Sequence, residues 1–232
     1  MIVLGIETAT AVCAAAVAVD GAATAEQALE QHAVHAEKLL TLIDRALREA
    51  GFTADQVNGI AVSIGPGSFT GLRIGLSVAK GLAFATGVPL VAVPTLSALA
   101  YHAAVAPATA ASRNILTVLD ARRDEVYCQL FDVGGGRPVP LWDARACPVP
   151  ELIRELGGRA VLVTGDAREK VLAVARTMPG GTARFGSVPP GRARCSAAAV
   201  AVLGSGLLAE GSVEDPGTLE PRYIKEFFLT SR

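Results

Sequence analysis

The stretch Ile60-Ala-Val-Ser-Ile-Gly-Pro-Gly-Ser-Phe-Thr-Gly-Leu-Arg-Ile-Gly75 decides how this chain is read. An apolar run with β-branched residues breaks at Gly65-Pro66-Gly67 and gives way to a helical pattern. That order predicts a buried strand, a glycine-rich turn and a helix start, with Ser68 and Thr70 both able to cap orphan amides. Amides and the helix dipole at such a turn favour an anion. The Gly-Lys-Ser/Thr ending of a P-loop is missing, however, and so is the dinucleotide spacing. Beyond the turn, Gly71, Gly75, Ala79 and Ala83 fall four apart and make one nearly side-chain-free stripe. A helix shaved along one face lets another backbone approach closely, so the segment reads as built to pack.

Outward from this block the pattern is α/β. Strands are predicted over 2–8, 12–19 and 22–29, the last two joined at Asp20-Gly21, a strong hairpin signal. A helical stripe follows over 33–50 and stops at Gly51. Strand 59–64, helix 69–86, strand 88–93 and helix 95–105 complete a first lobe. Pro107 to Ser112 is small and polar and reads as a hinge. The pattern then partly restarts: strand 115–119, the polar turn Asp120-Ala-Arg-Arg-Asp124 and strand 125–132 echo strand 2–6, Glu7-Thr-Ala-Thr10 and strand 12 onward. Gly134 to Pro140 reads as a loop, 149–156, 167–177 and 196–210 as helices, and 160–164 as a buried strand. The span 177–194, rich in Gly, Pro and Arg, reads as a long exposed loop, and the tail Pro221-Arg-Tyr-Ile-Lys225 as packed back on the body. The expected organisation is two lobes, 1–106 and 107–232.

Composition narrows the function classes. The 232 residues suffice for one large or two small cores; 51% are hydrophobic, many of them alanine, and only 5% aromatic. Net charge is −1 and the pI about 6.3, so no global field draws nucleic acid or an anionic membrane. The start Met1-Ile-Val-Leu-Gly-Ile-Glu7 lacks a basic n-region, and the longest apolar stretch, Ala11 to Val19, is too short to span a bilayer. Cys13, Cys128, Cys147 and Cys195 are scattered without a Cys-x-x-Cys pair and read as reduced core thiols of a cytoplasmic protein, not as metal ligands.

Six segments carry a resemblance: Ile6-Glu-Thr-Ala-Thr10, His35-Ala-Glu-Lys-Leu-Leu40, Gly65-Pro-Gly-Ser-Phe-Thr-Gly-Leu-Arg73, Val93-Pro-Thr-Leu-Ser-Ala-Leu99, Leu119-Asp-Ala-Arg122 and Pro221-Arg-Tyr-Ile224. In order and spacing they resemble the TsaB (YeaZ) family from residue 1 to about 130, and again at the tail. The resemblance implies a two-lobed actin, Hsp70 and sugar-kinase (ASKHA) fold, with duplicated lobes of mixed sheets flanked by helices. It also implies a role in placing threonylcarbamoyl on an adenosine beside the anticodon of ANN-reading tRNAs. In that system TsaD performs the transfer, TsaE is an ATPase partner, and TsaB is the companion that TsaD needs.

The candidate chemistry follows from that comparison. Where the catalytic relative TsaD has a His-x-x-x-His metal motif, this chain has Thr95 and Leu99, neither able to replace imidazole. No catalytic residue and no metal site is therefore expected. His32 and His35 are three apart but lack a third ligand, and read as a surface or interface pair. His102, among alanines on a helix, reads as packed or half-exposed rather than as a base. Glu7, Thr8 and Thr10 in the first hairpin and Asp120, with Asp166, at later strand ends could hold magnesium against a phosphate. They read rather as vestiges, since a glycine in the first hairpin and an adenosine segment are both missing. No cofactor is required on this reading, and weak nucleotide binding is the most that survives. Lys80 reads as solvent-facing, and Arg184, Arg192 and Arg194 are thin support for tRNA contact.

The resemblance implies that the two N-terminal-lobe helices meet the equivalent pair on TsaD, and pair with themselves when TsaD is absent. The expected contact set is His35, Leu39, Leu42, Ile43 and Ala46 on the first helix. On the second it is Gly71, Arg73, Gly75, Val78, Ala79, Leu82 and Ala83, with the small-residue stripe turned outward. Internal packing of that stripe is the competing reading. Two rival functions stand beside the companion: a small ATPase or kinase using Glu7, Asp120 and Asp166 around magnesium, and a homodimer that binds tRNA directly.

Overall fold

The computed structural model describes residues 1–31, 35–104, 113–178 and 185–225. His32, Arg184 and the expected hinge at 107–112 lie outside them. Strands β1 (Ile2–Glu7), β2 (Val12–Val19), β3 (Ala22–Glu30), β4 (Gly59–Ser63) and β5 (Leu90–Val93) form a first sheet in the order β3-β2-β1-β4-β5. β1 and β2 pair antiparallel from Ile2↔Val19 to Glu7↔Ala14, and β4 and β5 add on parallel. The tight turn at Asp20-Gly21 takes left-handed φ values of 49° and 78°, as the Asp-Gly signal predicts.

This sheet is covered on both faces, which is why β2 shows no polar alternation and is buried from Val12 to Ala18. One face carries α1 (His35–Ala50) and α2 (Phe69–Thr86), whose Leu39, Ile43, Ala46, Leu76 and Ala79 join Leu4, Ile6, Ala15 and Val17 in a core. The other carries α6 (Ala197–Ala209), seated so close that a Cβ at Gly5 would lie 2.4 Å from the Ala197 carbonyl oxygen. Alanine at Ala14, Ala16 and Ala61 is what so close a helix permits.

A second sheet repeats the plan. Strands β6 (Asn114–Asp120), β7 (Glu125–Asp132), β8 (Val139–Pro140), β10 (Val161–Thr164) and β11 (Phe185–Ser187) are ordered β11-β10-β6-β7-β8, and β9 (Arg145–Pro148) also pairs with β7. The β6–β7 hairpin is antiparallel and β10 and β11 are parallel, matching β1–β2, β4 and β5. Helices α4 (Val149–Leu156) and α5 (Arg168–Thr177) close its core around Leu116, Val118, Leu152 and Val171.

A cut at residue 106 does not separate the two packing units. Helix α3 (Thr95–Ala104) puts Leu96, Leu99 and Ala100 against Ile115, Leu119 and Phe131 of the second sheet, while α6 returns to the first. Glu26 of β3 ties that return: its Oε1 accepts from the Ser196 hydroxyl at 2.8 Å and the Ala198 amide at 3.0 Å. The tail does pack back, bridging Leu90 to Glu214 and donating from the Arg222 amide to the Ile64 carbonyl at 2.7 Å. Strands β8 and β11 correct the loop readings of 134–140 and 177–194, and β9 falls in a stretch to which the sequence assigned no element. They are short and rich in Pro, Gly and Arg, and each exists because a longer neighbour offers a free edge.

Candidate functional site: the interlobe cleft and the outer helix pair

The glycine block is shaped by the first hairpin turn. The Ser68 amide donates to the Ala9 carbonyl at 2.7 Å, and the Ser68 hydroxyl caps α2 by accepting from the Gly71 amide at 3.2 Å. A Cβ would lie 2.2 Å from the Ala9 carbonyl at Gly67, 2.1 Å from the Thr8 carbonyl at Gly71 and 2.1 Å from Thr8 Oγ1 at Gly75. The stripe therefore faces inward. Gly71, Gly75, Ala79 and Ala83 are all buried, which corrects the expectation that they line a partner surface. The same holds for Leu39, Leu42, Ile43 and Ala46, which are core residues. His35 is also buried, its Nε2 at 3.0 Å from the Thr10 carbonyl and 3.2 Å from that of Val12. Carbonyls only accept, so this nitrogen carries a proton and pins the entry of α1 to the hairpin.

Outward face Arg73, Ser77, Gly81, Phe84 and Ala85, with Val78 and Leu82 half-buried at the margins. Phe84 is 91% exposed and Leu40 of α1 58% exposed. Arg73 is engaged within the chain: its Cζ sits 3.7 Å from the Phe69 ring centre, and its Nε donates to the Tyr223 hydroxyl at 3.1 Å. Tyr223 stacks on Phe69 at 5.1 Å, so the tail is clamped onto the start of α2. Lys80 is half-buried.

Between the lobes lies a cleft of about 960 Å³, walled by Gly67 to Gly71 on one side and by the Asp120 to Arg123 turn on the other, with Thr10, Tyr127, Asp166 and Lys225 between. Of the expected phosphate-side residues it brings together Thr10, Asp120 and Asp166, but not Glu7 or Thr8, which are sealed in the core. Asp120 is already neutralised by Lys170 at 2.9 Å, and its amide donates to Asp166 at 2.9 Å. Lys225 pairs with Glu125 and donates to the Ala121 carbonyl at 3.0 Å. Burial pushes the Glu7 carboxyl up to about 7, opposed most by the hydrogen bond from the Ala9 amide at 2.6 Å. Its Oε2, Thr8 Oγ1 and Ser63 Oγ are buried with no hydrogen-bond partner.

At the place of the expected metal motif, Thr95 is buried and accepts from the Gly65 amide at 3.0 Å, and Leu99 is core. Neither side chain presents a donor to an open site. His102 binds the Gly191 carbonyl at 3.1 Å, and burial lowers its pKa. Arg194 sits 3.8 Å from Glu30. Among the described residues no group of three or more His, Cys, Asp and Glu side chains could hold a metal ion, and no helix is long and apolar enough to cross a membrane.

Residues 24–153 match the family described as TsaD: tRNA N6-adenosine threonylcarbamoyltransferase. The chain belongs to this family. The TsaD-family match takes in α1, the glycine-rich turn, α2 and the β6–β7 hairpin and ends within α4. The tRNA threonylcarbamoyladenosine biosynthesis protein TsaB of Haemophilus influenzae is 36% identical over 124 residues, covering 53% of this chain and 51% of that protein. TsaB of Escherichia coli is 37% identical over 127 residues, covering 55% and 53%. The chain thus spans about half the length of the curated relatives it matches. The solved structure of YeaZ from Pseudomonas aeruginosa superposes with a TM-score of 0.80 at 26% identity, covering 96% of this chain and 99% of that one. The activator of 2-hydroxyisocaproyl-CoA dehydratase from Clostridium difficile, with bound ADPNP, superposes at 0.53 with 9% identity, covering 91% and 97%, and bears on the fold alone. The resemblance to TsaB (YeaZ) and the two-lobed ASKHA fold both hold.

Proposed function

We propose that this chain is a non-catalytic companion subunit in tRNA threonylcarbamoyladenosine formation. It docks on a TsaD-type catalytic subunit through the outer face of α1 and α2, works with a TsaE-type ATPase, and meets tRNA mainly through the complex. Alone, it pairs with itself through the same face, and it resides in the cytoplasm. The observation that carries the docking is that each helix leaves a large apolar side chain in water: Leu40 on α1, and Phe84 on α2 beside the exposed Gly81 and the half-buried Leu82. Large apolar side chains exposed on both of two neighbouring helices are costly in solvent and suit a partner helix pair. The docking face is therefore rotated about α2 from the buried stripe to the side that carries Phe84.

Three features support a non-catalytic role. Thr95 and Leu99 occupy the core where a catalytic relative would present imidazoles, Lys170 neutralises Asp120, and Glu7 is sealed from the cleft. No cofactor is needed on this reading. The roomy cleft favours the second reading, a magnesium-nucleotide ATPase or kinase, with weak nucleotide binding as its reduced form.

The deciding assay is threonylcarbamoyl transfer to unmodified tRNA by TsaD, TsaE and the threonylcarbamoyl-AMP synthase, with and without this chain. Transfer that needs the chain, and is lost with Phe84→Asp while the fold persists, is the expected result. Equal transfer without the chain overturns the companion reading. Nucleotide turnover by the chain alone, abolished by Asp120→Ala, would establish the enzyme instead.

A further inference from the structure

Two cysteines nineteen residues apart in sequence are brought into contact by the second sheet. β7 and β9 pair antiparallel with Val126 opposite Cys147 and Cys128 opposite Arg145. Side chains alternate along a strand, so Cys128 and Cys147 share one face as a diagonal pair. Their sulfurs lie 3.5 Å apart and both thiols are free. Cys128 is completely buried, whereas Cys147 is half-buried. Arg145 adds a third element: its Nε is buried with no hydrogen-bond partner, a donor without an acceptor beside two sulfurs.

We propose that Cys128 and Cys147 form a peroxide-reactive dithiol, with Cys147 as the attacking thiolate and Cys128 as the thiol that resolves it into a β7–β9 disulfide. A thiolate on Cys147 would accept from the Cys128 S–H and share the Arg145 guanidinium with Glu155, which already pairs with it. These two influences, the Cys128 hydrogen bond first, draw its pKa down to about 7, while Cys128 is pushed up. In the first step the Cys147 sulfur attacks one oxygen of hydrogen peroxide. The O–O bond breaks, hydroxide leaves, and Cys147 becomes a sulfenic acid. In the second step the Cys128 sulfur attacks the Cys147 sulfur and expels its oxygen as water, using the Cys128 proton. Two thiols and one peroxide thus give one disulfide and two waters. The other cysteines are poorly suited, since Cys13 and Cys195 are buried and burial raises both.

Closing the bond requires the sulfurs to come from 3.5 Å to about 2.05 Å, which a small shift of β9 would bring about, a four-residue strand that among the described residues pairs with β7. Arg145 lies on that strand, 4.9 Å over the ring of Trp142 and paired with Glu155 of α4. Trp142 is the single tryptophan of the chain, so its emission reports the event.

The test treats the reduced full chain with one equivalent of hydrogen peroxide. It reads intact mass, thiols alkylated after denaturation, a disulfide peptide map and Trp142 fluorescence. The expected result is a loss of about 2 Da, two of the four thiols protected, a 128–147 cross-linked peptide, and an emission change reversed by dithiothreitol. Cys128→Ser should stop at a sulfenic acid on Cys147 that dimedone traps, and in the unsubstituted chain alkylation of Cys147 should rise as pH passes through about 7. Four alkylatable thiols after treatment overturn the proposal, as does a disulfide between chains or through Cys13 or Cys195. The wild-type peptide map decides even if a variant folds poorly.

Discussion

Replacing Glu7 with glutamine tests the most loaded buried group in the first lobe. The carboxyl is fully enclosed, with one oxygen held by the Ala9 amide and the other unpartnered. Burial raises it from 4.5 to about 7. Folding therefore takes up a proton across that interval, because the folded state keeps a proton the unfolded chain has released. The sign follows: the favourable contribution is whole below pH 4.5 and is lost as pH rises through about 7. A gap of that size, at about 1.4 kcal/mol per tenfold, amounts to about 3 kcal/mol. Glutamine keeps an acceptor for the Ala9 amide and cannot titrate. Urea unfolding of both proteins from pH 4 to 8.5 should show the wild type losing about 3 kcal/mol relative to Glu7→Gln. With m up to about 3 kcal/mol/M this is a relative midpoint shift of at least about 1 M. Taking the difference removes the titration shared by other carboxylates. A difference that stays flat across the range would refute the buried, proton-holding carboxyl.

Gly75→Ala puts a Cβ 2.1 Å from Thr8 Oγ1. Overpacking of about 1–3 kcal/mol should outweigh the ~1 kcal/mol gain in helix propensity. Thr8→Ala in the same chain should restore most of the loss, and a thermal-unfolding cycle without such coupling would contradict the inward stripe. Glu26→Ala removes the acceptor shared by Ser196 and Ala198 and should cost about 1–2 kcal/mol. Hydrogen exchange should quicken first at the opening amides of α6, and uniform protection would count against the tether.

Much of the first lobe can be read from local signals. The Asp20-Gly21 turn, the caps at Gly51 and Gly87, and the switch from period two to period 3.6 each act within a few residues. β1 to β3, α1 and α2 accordingly fall where the pattern puts them. The motif at Gly65–Arg73 falls within the family match, and the turn at Thr8–Ala9 and the tail at Arg222–Tyr223 both pack against it.

The glycine spacing announces a close approach but not its partner. Four small residues at i, i+4, i+8 and i+12 define a helix face, and a helix face has no direction until a sheet is placed beside it. Here the Thr8-Ala9 turn takes that face, which leaves Phe84 outside. The exchange of α3 and α6 between lobes is equally non-local, since each helix is apolar enough for either sheet. β9 exists only because β7 offers an edge, and Cys128 meets Cys147 only through that pairing. What the chain order settles is therefore the elements and the family. Which face is buried, which carboxyl is sealed and which thiols touch depend on contacts between residues far apart, and those exist only once the two sheets are packed.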